Sequence, residues 1–249
     1  MGTQHRRQRE REARETLFVE KAHELIRSEG LLALQMSRLA AACEYATGTL
    51  YQHFNSKEDL LAAVATRTTR QRAELFRRIP GLALGTRSRM LAMVLADIDF
   101  VQANPDYYRL TQFVTTEVIW ASTSEVRRQE LLEAAKPISE AVTAVVAEAR
   151  ANKDLPPAQE MGDEEMGLGP WALNTGMQAL ANAQGLLDAY DIHRPYEHLI
   201  RHTHALLTGW RWEPRIDPDE PSVVRAETER VRAALRERVH ESALPKETR

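Results

Sequence analysis

A chain of 249 residues, 43% of them hydrophobic, is long enough to build a buried core in one large domain or two ordinary ones, so a soluble folded protein is expected. Its single cysteine, Cys43, rules out an intrachain disulfide and a multi-thiolate metal site, and no apolar run is long enough to act as a signal peptide or to span a bilayer. A cytoplasmic protein with no membrane partner is therefore expected. The net charge of −3 is unevenly divided: residues 1–79 carry 14 Lys and Arg against 10 Asp and Glu, net +4, which leaves −7 for residues 80–249. Solvated helix faces of either sign explain each charge singly but not that division, whereas a cationic first third and an acidic remainder would orient the molecule on a phosphate backbone.

Strand signals are scarce, and apolar residues recur at three- and four-residue spacing, so the fold class is all-α. The first helix runs from about Glu12 to Glu29 with Phe18, Ala22, Leu25 and Ile26 on one face, and Gly30 stops it. A second begins near Met36, where Met36, Leu39, Ala40 and Cys43 form one apolar face, and ends at Glu44-Tyr45. The third, Thr47 to about His53, turns Leu50 and Phe54 inward, with Tyr45 and Leu50 spaced as a hydrophobic staple. Ser56 is placed to cap the fourth and Asp59 to reciprocate; that helix extends to Ile79, where Pro80-Gly81 ends it.

The next helix covers about Thr86 to Ala103, and another starts at Asn104-Pro105 and carries Tyr107, Tyr108, Phe113 and Trp120. A long helix from about Ser124 to Asn152 contains Pro137, which is expected to kink it. Residues Leu155 to Pro170, rich in proline, glycine and acids, read as a loop; helices from about Trp171 to Tyr190 and Pro195 to Trp212 then complete a bundle of nine. From Glu213 the composition changes, and Val224, Val231, Leu235 and Val239 form a thin stripe that suits either an extra helix or a mostly solvated tail. The expected divisions are 1–56, a connecting helix 57–79, a bundle 80–212 and a charged extension 213–249.

Helices two and three, separated by a tight turn, have the arrangement of a helix-turn-helix. On the third, Thr47, Gly48, Tyr51 and Gln52 lie together, opposite Leu50 and Phe54. Gly48 costs the helix roughly 1 kcal/mol relative to alanine, which suggests a need for close backbone approach to something. The run from Leu39-Ala40 through Gly48-Thr49-Leu50-Tyr51-Gln52-His53-Phe54-Asn55-Ser56-Lys57-Glu58-Asp59-Leu60-Leu61 resembles the signature of the tetracycline-repressor (TetR) family. It covers about the N-terminal fifth of the chain.

The resemblance implies an N-terminal DNA-binding domain with a basic arm, followed by a helical domain for effector binding and dimerisation. It further implies that Thr47 and Gly48 approach bases, that Thr49, Tyr51 and His53 contact backbone or base edges, and that Lys57 reaches a phosphate. The chemistry of the side chains agrees: hydroxyls and an amine suit phosphate oxygens, and Gln52 has the paired donor and acceptor that read adenine. Ser37 and Arg38, in the first turn of the second helix, are further phosphate candidates. Three departures touch the turn: Cys43 and Glu44 stand where the family usually has a small residue and then Gly, Glu44 being a strained choice if the backbone is left-handed, and Ala46 where it often has Ser, a weaker cap. Arg6, Arg7, Arg9 and Arg11 form either a groove-seeking arm or a solvated terminus.

Phe100, Tyr107, Phe113 and Trp120 are candidates to line an effector pocket, and Trp171, Asn174, Met177 and Gln178 mix apolar and amide groups in a way that suits a mainly apolar ligand. A homodimer is expected, with Ala179, Ala183 and Leu187 on one helix and Leu199, Thr203, Leu206 and Trp210 on the next as contact stripes. His198 and His202, one turn apart, have a metal-compatible spacing, but ordinary surface histidines suit them better. No cofactor, no metal and no nucleophile-and-base arrangement is implied, so an enzyme is not expected. The expected function is a dimeric regulator, a repressor released from a palindromic double-stranded operator by a small apolar effector. The alternative is a helical small-molecule-binding or interaction protein without a repressor role.

Overall fold

The computed structural model describes the backbone of residues 2–156 and 161–243, with side chains for 4–156 and 161–237. Eleven α-helices and no strand occur among the described residues: α1 (Gly2–Glu29), α2 (Met36–Ala42), α3 (Thr47–Tyr51), α4 (Lys57–Arg78), α5 (Thr86–Ala103), α6 (Pro105–Val114), α7 (Glu117–Ser122), α8 (Glu125–Ala151), α9 (Asp163–Asn182), α10 (Pro195–Gly209) and α11 (Pro221–Ala243). No helix among them is long and apolar enough to cross a membrane. The chain divides into two compact units, one of residues 1–71 and 101–135 and the other of 72–100 and 136–249, so that α4, α5 and α8 each continue from one into the other.

In the first unit the core gathers the apolar stripes expected from the sequence: Phe18, Ala22 and Ile26 of α1, Met36, Leu39, Ala40 and Cys43 of the α2 region, Leu50 and Phe54 around α3, and Leu60, Leu61 and Val64 of α4. Leu110 and Val114 of α6 and Leu131 of α8 join them. α1 begins well before Glu12, so Arg6, Arg7, Arg9 and Arg11 lie on a helix and not on an irregular arm, all of them exposed. The single helix expected after Asn104 is broken at Thr115-Thr116 into α6 and α7.

The second unit packs around Leu91, Leu95 and Ile98 of α5, Val145, Val146 and Ala149 of α8, Leu199 and Leu207 of α10, and the fully buried Trp212. Trp212 Nε1 donates to Thr86 Oγ1 at 3.0 Å, and Thr86 Oγ1 donates to Asp154 Oδ2 at 2.7 Å. Buried Arg89 holds Glu148 of α8 through both guanidinium nitrogens, which keeps that carboxyl below its ordinary range, chiefly through the hydrogen bond. α8 runs on through Pro137.

Two expectations need correction here. Residues 155–170 are not all loop, because α9 starts at Asp163. Three acids in its first turn complement the helix dipole, and Glu165 Oε2 accepts the Gly162 N–H at 2.6 Å. The helix also ends at Asn182, before Leu187, where a left-handed Gly185 (φ 74°) reverses the chain. Within the charged extension, α11 packs in the second unit, the extra helix of the two alternatives: Val231 is fully buried, Val224 and Leu235 pack on the core, and Glu227 Oε1 accepts a bond from Ser88 Oγ at 2.5 Å. Val239 of the same stripe lies outside the described side chains.

Candidate functional site

The turn between α2 and α3 closes as a Schellman motif: the Tyr45 N–H donates to the Ala40 carbonyl at 2.9 Å and the Glu44 N–H to the Ala41 carbonyl at 3.1 Å. Glu44 is the residue that turns left-handed (φ 60°), a conformation that costs a non-glycine residue roughly 1–2 kcal/mol. Ala46 caps α3 with no side-chain bond. The short helix is held from beneath instead, since Leu50 and Phe54 are fully buried and the Tyr45 ring packs edge-on against Phe18 with centroids 5.3 Å apart.

That anchoring leaves one face outward. Gly48, Tyr51 and Gln52 are exposed, Tyr51 to 51%, and Thr47 and Thr49 are half-buried. A Cβ added to Gly48 would meet nothing within 4 Å, so nothing in the protein's own packing requires a glycine there. Lys57 opens α4 beside the cap foreseen from the sequence: Ser56 Oγ accepts the Asp59 N–H at 3.1 Å, and Asp59 Oδ2 accepts the Asn55 N–H at 3.2 Å. Ser37 and Arg38 are exposed in the first turn of α2, where the Arg38 guanidinium pairs with Glu29 at 2.6 Å. A phosphate would have to displace that carboxylate.

His53 departs from the expected set. Its side chain is buried, edge-on to Phe18 and with Nδ1 3.4 Å from Glu15 Oε2, so it supports the core of the helix-turn-helix and does not lie on its outer face. Burial pushes its pKa down, with Glu15 opposing in part. Arg127, from the first turn of α8, donates to the His53 carbonyl at 3.1 Å, pairs with Glu15 at 2.7 Å and lies over the Phe54 ring at 5.0 Å. Three residues earlier along the same segment the Ser124 N–H donates to Asp59 Oδ1 at 2.7 Å. The start of α8 thus pins both the end of α3 and the cap of α4, a role for Arg127, Glu15 and Asp59 that partners up to 112 positions apart (127 − 15) kept out of reach of sequence reasoning.

The expected effector-binding residues fall into different units. Tyr107, Phe113 and Trp120 belong to the first, where Phe113 and Trp120 pack on its core and Tyr107 Oη lies 3.4 Å from Thr69 Oγ1. Phe100, Trp171, Asn174, Met177 and Gln178 belong to the second. Trp171 is 64% exposed on α9, Phe100 is half-buried, and Met177 packs against the core. Asn174 and Gln178 are buried and converge on a residue missed from the sequence, Asp97 of α5: Asn174 Nδ2 donates to its Oδ2, and Gln178 Nε2 approaches the same oxygen at 3.4 Å. Arg72 Nε donates to the other oxygen of Asp97, with its guanidinium over Phe76 at 5.0 Å. An aspartate inside the apolar run of α5 was the available signal.

Among the described residues no group of three or more His, Cys, Asp and Glu is placed to hold a metal ion; His198 and His202 stack with centroids 6.4 Å apart on an exposed face of α10. The expected dimer stripe on α10 also needs correction, since Leu199 and Thr203 are fully buried in their own protomer, and a Cβ on Gly169 of α9 would lie 3.0 Å from Leu206 and from Trp210.

Residues 18–64, the stretch that contains α2, the turn and α3, match the family of bacterial regulatory proteins, tetR family. That segment is therefore similar to the tetR family of bacterial regulatory proteins. The chain is similar in fold to a protein of unknown function from Rhodococcus sp. RHA1, with TM-score 0.61 and 19% identity over 79% of this chain and 95% of that one. It is also similar to the transcriptional regulator FadR from Bacillus subtilis, solved in complex with stearoyl-CoA, with TM-score 0.57 and 14% identity over 78% and 98%. A bacterial regulatory protein of the tetR family from Rhodococcus RHA1 aligns with TM-score 0.54 and 16% identity over 79% and 96%. Among curated proteins, nothing matches the chain in sequence.

Proposed function

We propose that the chain is a dimeric repressor whose α3 enters the major groove of a palindromic double-stranded operator and which a small, mainly apolar molecule releases. The observation that carries this reading is the two-faced α3: Leu50 and Phe54 are locked in the core, while Gly48, Tyr51 and Gln52 stand exposed, Gly48 with open space where a side chain would sit. Thr47, Gly48, Thr49, Tyr51 and Gln52 would meet the groove, and Ser37, Arg38 and Lys57 the flanking phosphates. Exposed Leu168 and Trp171, one turn apart on α9, support a second copy as partner. The FadR relative's complex with stearoyl-CoA supports an effector with a long apolar portion, held in the second unit near Asn174, Met177 and Gln178.

Footprinting of the DNA that flanks the gene, with the purified protein, tests the reading. Protection of a palindrome, with binding that weakens as salt rises, is the expected result; Lys57→Ala should weaken binding to all sequences alike and lower the salt slope by about one unit, because a phosphate contact carries no sequence information. Absence of any protected site would leave the alternative, a helical ligand-binding protein without a repressor role.

A further inference from the structure

Gln178 is 1% exposed, and its amide is oriented by its neighbours. Asn174 must present Nδ2 to the Asp97 carboxylate, which turns Asn174 Oδ1 toward Gln178; Gln178 Nε2 then faces both that oxygen and Asp97 Oδ2, each at 3.4 Å. Turning the Gln178 amide over would set its oxygen against a carboxylate and a carbonyl, two acceptors with no proton to offer. Gln178 Oε1 is therefore left pointing away from the cluster, and no donor among the described residues reaches it. A buried acceptor without a donor is costly, and natural cores rarely keep one without a use.

We propose that Gln178 Oε1 is the polar anchor of the effector site, and that the effector is an apolar molecule bearing an O–H or N–H donor, an alcohol or an amine and not a carboxylate or a phosphate ester. This rests on reading the second unit as an effector domain. The charge arrangement selects the head group. Arg72 balances Asp97, so the cluster is neutral overall, yet its inward oxygens are all acceptors and one belongs to a carboxylate. At Gln178 Oε1, beside the Asp97 carboxylate, an anionic head would set acceptor against acceptor, whereas a hydroxyl or an ammonium supplies the missing proton. Met177 and Tyr196, packed against the same core as Met90 and Met93, offer the apolar surroundings for the rest of the molecule.

The test uses the full chain and four matched probes: n-decanol, n-decylamine, decyl methyl ether and decanoate, with binding measured by calorimetry and operator release in parallel. The alcohol and the amine should bind about tenfold more tightly than the ether and decanoate, the difference made by one buried hydrogen bond, and Gln178→Met should abolish the preference. In labelled wild-type protein, the Gln178 side-chain carbonyl resonance should move with n-decanol and not with the ether, a readout that needs no variant to fold. Equal binding of alcohol and ether, a preference that survives in Gln178→Met, or no binding by any probe overturns the proposal. Operator release separates the two readings: selective binding without release keeps the anchor and breaks the link to DNA, while release by all four probes alike keeps the regulator and removes the anchor.

Discussion

Gly48 lowers the stability of α3 while leaving open space where a side chain would sit. In an isolated protomer alanine is the better residue there. The Gly48→Ala variant should therefore be more stable by about 0.5–1 kcal/mol, since no neighbour is displaced and helix propensity improves. If α3 lies in the groove, the same methyl group meets DNA, and operator affinity should fall about tenfold, ~1.4 kcal/mol. Thermal denaturation and a binding titration on one preparation check both halves; a variant that is more stable and binds DNA as well as before would remove Gly48 from the interface. His204 provides a second test at this scale. It is fully buried in the second unit, and burial, reinforced by Arg87, brings its pKa down to about 4. Arg87 Nη1 lies 3.1 Å from its Nδ1, which assigns the neutral ring an acceptor at Nδ1. With the folded pKa depressed below the unfolded value near 6.5, the unfolded chain binds the extra proton first. Stability is then full above about pH 6.5 and declines toward pH 4, by on the order of 3 kcal/mol from this residue. Chemical denaturation across that range should show the decline, and His204→Gln should flatten it. Residues whose roles depend on near neighbours were legible in the sequence: the strained Glu44, the weak cap at Ala46, the Ser56 and Asp59 pair. His53 was not, because Glu15, Phe18 and Arg127, distant in the chain, decide that it turns inward.

At the scale of elements, α9 shows why part of the bundle escaped the sequence. Its first half has three helix-disfavouring residues, Gly167, Gly169 and Pro170, and propensity alone makes such a stretch a loop. The structure uses the two glycines for close packing: a Cβ on Gly167 would lie 2.8 Å from Val142 of α8, and one on Gly169 3.0 Å from Leu206 and Trp210 of α10. Tertiary contact outweighs local preference here. The break between α6 and α7 is the converse, with apolar spacing continuing across Thr115-Thr116 while the backbone does not. Because α9 turns one side to α8 and α10, the exposed Leu168 and Trp171 remain for a partner on the dimer reading. Trp171→Glu should convert a dimer to monomers at micromolar concentration, as a buried unpaired charge replaces an aromatic contact. Light scattering reads the mass and circular dichroism checks that the helices persist. A variant that remains dimeric assigns the interface to another face.

For the molecule as a whole, the regulator reading requires that two separate sites exchange free energy. On that reading α4, α5 and α8, whose residues fall in both units, would carry the coupling; within the first unit the cap of α4 and the start of α8 are tied to α3 through Asp59 and Arg127, and within the second α5 carries Asp97 into the polar cluster with Asn174 and Gln178. A ligand acts on DNA only to the extent that it binds one conformation better than the other, so tight binding alone does not release an operator. Reciprocity then fixes a number that two independent experiments must share. If saturating ligand weakens operator binding by some factor, between about 5- and 150-fold for ordinary couplings, saturating operator must weaken ligand binding by that same factor. Calorimetric titration of the ligand into free protein and into the operator complex supplies one value, and operator titration with and without ligand supplies the other. Equal factors well above one establish coupling between the units. A ligand that binds free protein and operator complex equally well would show that the second unit holds a molecule without using it to control DNA.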